Sequence, residues 1–62
     1  MSYAEAIKDL RKKLILSQAE LAKLLGVSIQ SINRWETGKH EPTIKIKRKL
    51  VSYFEKYWIE VD

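Results

Sequence analysis

The sequence predicts an all-α domain, a compact four- to five-helix bundle, and three observations carry that prediction. Apolar residues recur at three- and four-residue spacing along the 62 residues, and no alternating run reaches the length of a strand. Serine stands three residues ahead of glutamate at Ser2–Glu5 and again at Ser17–Glu20, a pattern in which each side chain satisfies a free backbone amide of the other at a helix start. Both glycines, Gly26 and Gly38, directly follow periodic segments, where a left-handed residue commonly ends a helix.

The first helix is expected to begin at Ser2 and to turn Ile7, Leu10 and Leu14 toward the core as one stripe. The second opens at Ser17, with Leu16 and Leu21 at the two positions of a hydrophobic staple. Leu21, Leu24 and Leu25 are expected to face inward, Ala22 to offer a small surface, and Gly26 to end the helix. Ser28 restarts the chain as the cap of a third helix, with Val27 and Ile32 as its staple. Ile32 and Trp35 anchor this helix and Gly38 ends it. Steps of about 100° per residue then put Gln30, Asn33, Arg34 and Thr37 on the side away from Ile32.

Thr43 is the expected cap of a fourth helix that runs to about residue 57. Its apolar residues Ile44, Ile46, Leu50, Val51, Tyr53, Phe54, Tyr57 and Trp58 cover about half of the circumference, more than a surface helix usually buries. Either the tail folds back as a further turn, or part of this face meets another subunit. With no repeat, linker or low-complexity stretch, residues 1–62 are expected to form one domain. Within it, residues 17–37 form a two-helix unit, and the aromatic tail, residues 53–62, is a candidate dimer contact.

A chain this short buries a low fraction of its surface, so it supports a single core and little more. The absence of Cys removes disulfides and thiolate metal sites, and His40, the single histidine, cannot build a zinc site without such partners. No cofactor or metal is therefore expected. No paired carboxylates suit general acid–base work, which argues against an enzyme. No apolar run approaches the roughly 18 residues of a membrane span, and no basic region followed by an apolar stretch opens the chain. A cytoplasmic location is the expectation. The net charge of +4 is unevenly placed: residues 1–49 hold eleven Lys or Arg against five Asp or Glu, whereas residues 50–62 hold one against three. The basic part points to a polyanionic partner.

Two helices joined by a tight Gly-containing turn, with Ala in the first and polar side chains outward on the second, describe a DNA-binding helix-turn-helix. Lys and Glu are better helix formers than Asn or Ser and cover the remaining surface, so their absence from the outward face of helix 3 asks for a reason. The major groove supplies one, because it admits a helix and shows a distinct donor and acceptor pattern at each base pair. Gln30 has the chemistry to bond adenine N6 and N7, and Arg34 guanine O6 and N7. Ile29 suits either a thymine methyl group or the edge of the core.

The run SQAELAKLLGVSIQSINRWETGKHEP, residues 17–42, together with Arg11, resembles the helix-turn-helix of the phage Cro and repressor type, often called the XRE family. The resemblance spans most of residues 5–54 and implies a phage-repressor-like bundle. It implies that Gln18 contacts the DNA backbone and supports recognition-helix side chains, and that Ile29, Gln30 and Arg34 reach base edges. It places Asn33, Thr37, Lys39 and His40 at or near phosphates, and it makes Arg11 and Glu36 a buried ion pair. Three features depart from the pattern: Ile29 stands where a polar residue is common, Trp35 replaces a smaller aliphatic, and the tail aligns with nothing in the family.

The expectation is a bacterial or phage-type transcriptional regulator, a repressor, binding double-stranded DNA as a homodimer on an inverted-repeat operator. No membrane partner is expected and no small-molecule substrate is evident. Two alternatives remain open: an antitoxin or restriction-modification controller with the same DNA-binding module, and a protein-interaction module that does not bind DNA.

Overall fold

The computed structural model describes residues 1–61, so Asp62 of the expected tail lies outside them. Four helices follow one another: α1 (Tyr3–Leu14), α2 (Gln18–Leu25), α3 (Ile29–Glu36) and α4 (Ile44–Lys56). Among the described residues the count is four, because those after α4 form a turn and an irregular stretch instead of a fifth helix.

Both serine–glutamate pairs close as reciprocal caps. The Ser2 hydroxyl accepts from the Glu5 amide at 3.3 Å while the Glu5 carboxylate accepts from the Ser2 amide at 3.2 Å. At α2 the corresponding distances are 3.1 Å and 2.9 Å. Ser28 caps α3 by accepting from the Ser31 amide at 3.2 Å. Thr43 stands at the cap of α4 in extended conformation, but its side chain makes no capping bond, so that expectation holds for position and not for chemistry.

The four C-termini share one geometry. In each, a residue in the left-handed region is followed by an amide that reaches back five residues: Leu16 to the Arg11 carbonyl, Val27 to Ala22, Lys39 to Arg34 and Ile59 to Phe54, at 2.8–3.0 Å. This is the Schellman arrangement, which satisfies carbonyls the helix leaves free. Gly26 and Gly38 supply the left-handed residue at the ends of α2 and α3, as the sequence suggests. At the ends of α1 and α4 it is Ile15 and Trp58, with φ of 55° and 60°.

Ile7 and Leu10 from α1, Leu21 and Leu25 from α2, Ile32 and Trp35 from α3, and Ile46, Leu50 and Phe54 from α4 form the core. Fully burying a side chain of this size stabilises by about 1.5–3 kcal/mol. The tail folds back: Ile59 is buried, Val61 is half-buried, and both pack on that core. Leu24 corrects the expectation of an inward position, since it is 47% exposed. It lies one step past the buried arc of Leu21, Ala22 and Leu25, and α4, packed chiefly against α1, does not extend to cover it.

Candidate nucleic-acid interface

α3 packs against both α1 and α2, and Ala22, buried and small, lets α3 cross close over α2. Ile32 and Trp35 hold one side of α3 in the core, and Glu36 is buried beside them. Glu36 is fully employed. Arg11 donates to it twice, from Nε at 2.8 Å and from Nη2 at 3.1 Å, and the Gln18 side-chain amide donates at 3.1 Å. The Arg11 Nη1 group also donates to the Leu16 carbonyl at 3.2 Å. The hydrogen bond to Glu36 raises the Arg11 pKa above its ordinary value. One carboxylate thus ties together the last turn of α1, the first turn of α2 and the end of α3.

The opposite side of α3 is open. Gln30, Asn33 and Arg34 are exposed, and Ile29 is half exposed at the first position of the helix. These four side chains line one cleft with Gln18 from the start of α2 and Lys39 from the loop after α3. No carboxylate among the described residues lines it. The structure therefore brings six of the eight expected contact residues onto one surface.

Thr37 and His40 stand apart from that cleft. The Thr37 hydroxyl lies 2.9 Å from the Asn33 carbonyl and 3.2 Å from the Arg34 carbonyl, so its single hydrogen is committed to the helix it follows. His40 borders a separate depression with Tyr3, Trp35 and Glu41. The basic run at residues 45–49 is partly engaged: Lys47 pairs with Glu41 at 2.7 Å and lies over the Tyr3 ring, while Lys49 reaches the Leu25 carbonyl at 3.4 Å. The resemblance implies that Gln18 supports recognition-helix side chains, and Glu36 at the end of α3 is the one it bonds.

A family model described as helix-turn-helix matches residues 7–60. The chain belongs to the Cro/C1-type helix-turn-helix family. An uncharacterized HTH-type transcriptional regulator of Methanocaldococcus jannaschii is 46% identical over 39 residues, covering 63% of this chain and 59% of its own length. A similarly described protein of Archaeoglobus fulgidus is 40% identical over 48 residues, covering 77% of this chain and 68% of itself. A protein of Pyrococcus abyssi, named as an HTH-type transcriptional regulatory protein, is 41% identical over 49 residues, 79% of this chain. Those residues are 16% of the Pyrococcus protein, so the helix-turn-helix chain spans a small part of that relative and about three-fifths of the Methanocaldococcus one. No solved structure matches the chain at a significant level. Among the described residues, no helix is long and apolar enough to cross a membrane, and no cluster of His, Asp or Glu is placed to hold a metal ion.

Proposed function

We propose that this helix-turn-helix chain binds double-stranded DNA sequence-specifically and regulates transcription, acting as a repressor that occupies an inverted-repeat operator as a homodimer. One observation carries the reading: Gln18, Ile29, Gln30, Asn33, Arg34 and Lys39 converge on an open cleft that no carboxylate among the described residues lines, on a helix whose other side is locked by buried anchors. In this reading Gln30 and Arg34 contact base edges, Ile29 lies against a thymine methyl, and Gln18, Asn33 and Lys39 bond phosphates. Relatives named as transcriptional regulators support the same class of activity. The cation Arg11 and the buried anion Glu36 belong to the scaffold. Thr37 and His40 are secondary, the first because its hydrogen is already engaged and the second because it faces another depression.

The experiment is selection of bound fragments from a random duplex library. An enriched palindrome supports the full reading. No enrichment over input at low salt would overturn DNA recognition altogether and favour a protein partner.

A further inference from the structure

α4 carries two apolar stripes. One faces the core through Ile46, Leu50 and Phe54. The other is open: Ile44 is 69% exposed, Val51 is 42% exposed, and Trp58, one residue beyond the helix cap, is 90% exposed. Ile44 and Val51 stand seven residues apart, nearly two helical turns, with Arg48 and Glu55 in the same band, and Trp58 follows at its C-terminal end, where the left-handed backbone leaves the helical register. Both charges are exposed, and neither has an ion-pair partner among the described residues.

We propose that this band is a contact between two copies of the chain, with the α4 helices packed antiparallel across a two-fold axis beside Val51. The proposal rests on the dimeric reading above and names its surface. A two-fold contact must be complementary to itself. Antiparallel pairing about Val51 meets that requirement along the whole band. Val51 meets its own copy, Arg48 meets Glu55 in both halves, and Ile44 lies toward the C-terminal end of the other copy, which carries Trp58. A parallel pairing would instead set Arg48 against Arg48. Specific interfaces bury about 800 Å² per partner. Trp58 alone supplies on the order of 200 Å², so the band is a small contact and the association it supports is a weak one.

The geometry leaves the reading surface free, because no residue of the band lines the cleft on α3. Reading two half-sites one DNA turn apart requires each α3 to stand about 17 Å from the axis. The longest dimension of the molecule, 25 Å, accommodates that distance.

The test is sedimentation of the full chain without DNA, with thermal melts as a check on folding. Arg48→Glu and Glu55→Arg, each alone, are expected to weaken association at least about tenfold, and the double reversal to restore it to within about threefold. The chain has no cysteine, so Val51→Cys provides a single attachment point. A short thiol cross-linker should join Val51→Cys chains into dimers and leave Lys23→Cys chains, altered on α2, as monomers. A dimer indifferent to single reversals and not joined through Val51→Cys would overturn the α4 surface while leaving the dimeric reading intact. A wild-type chain that stays monomeric at every concentration, and binds an inverted repeat as independent copies, would overturn both.

Discussion

At the scale of single residues, Glu36 and Gln30 illustrate two ways of losing DNA binding. Glu36 is buried with three donor groups aimed at it, and removing it leaves the half-buried Arg11 guanidinium and the Gln18 amide without their shared acceptor. Removing one partner of a buried pair costs about 3–5 kcal/mol, a large share of the roughly 5–15 kcal/mol that holds a domain together. Glu36→Ala is therefore expected to lower the melting temperature by more than about 10 °C, given roughly 4–8 °C per kcal/mol at this size. Loss of DNA binding would follow from unfolding. A stable variant that no longer binds would instead make Glu36 part of recognition. Gln30 is exposed and its side chain makes no hydrogen bond among the described residues, so Gln30→Ala should melt close to wild type and change which base is preferred at one operator position, measured by competition between duplexes. Ile15 behaves differently from both. It is 88% exposed, so its side chain contributes little burial, yet a β-branched residue is held at φ 55°. The left-handed region costs an L-residue about 1–2 kcal/mol, partly offset by the greater freedom glycine has in the unfolded chain. Ile15→Gly should thus stabilise by about 0.5–1 kcal/mol, read as a rise of a few degrees in a thermal melt. A fall would mean that the side chain is needed where it stands.

At the scale of the elements, starts were more legible than ends. Helix starts here are written in local chemistry: a serine with a glutamate three residues on places α1 and α2 within a residue, and at α2 a leucine before the cap adds to it. Two of the ends were legible for the same reason, since glycine announces a left-handed residue. The ends at Ile15 and Trp58 were not, because the force that sets them is not local. Leu16 and Ile59, which follow them, pack on the core, and turning the chain to bring them there outweighs the strain on the residue before. The apolar residue after the cap was the available signal. Leu24 was misplaced by the same limitation: helical periodicity gives a face, but whether that face is covered depends on where α4 packs. Of the candidate site, the outward set on α3 could be read from 100° steps, whereas the tie of Gln18 to Glu36 depends on an interhelical approach no spacing encodes. The two caps also give the fold an acid limit. Hydrogen bonds from the Ser2 backbone and hydroxyl hold the Glu5 carboxyl below its usual 4.5, and Ser17 does the same for Glu20. In the unfolded chain these carboxyls bind protons more readily, so their contribution is present above about pH 4.5 and is lost as pH falls through the lowered folded values. In melts across pH, the wild type should lead the Glu5→Ala/Glu20→Ala double variant at neutral pH, and the gap should narrow as the pH is taken below 4.5. A gap independent of pH would mean that these carboxylates do not stabilise the caps as anions.

At the scale of the whole molecule, the excess of basic residues is less available than its number suggests. Lys13 is occupied by Asp9 and the Tyr57 carbonyl, Lys47 by Glu41, Lys49 by the Leu25 carbonyl, and Arg11 by Glu36. Of the cations on the cleft, Arg34 is assigned to a base and Lys39 to a phosphate. Neutralising a phosphate releases condensed counterions, so the logarithm of the binding constant falls against the logarithm of salt concentration by about 0.9 for each phosphate neutralised. Lys39→Ala should make that slope shallower by about 1 per bound copy, hence by about 2 on an inverted repeat, and weaken all sequences by a similar factor. Gln30→Ala, which removes a neutral side chain, should leave the slope as it is while altering the preferred sequence. Measuring both variants on one operator from about 50 to 200 mM salt separates the two roles. An unchanged slope for Lys39→Ala would move the phosphate contact elsewhere, with exposed Lys45 and Arg48 on α4 next in line. Arg48 cannot serve DNA and the α4 contact at once, so that outcome would also set the dimer surface proposed here against the charge reversals that test it.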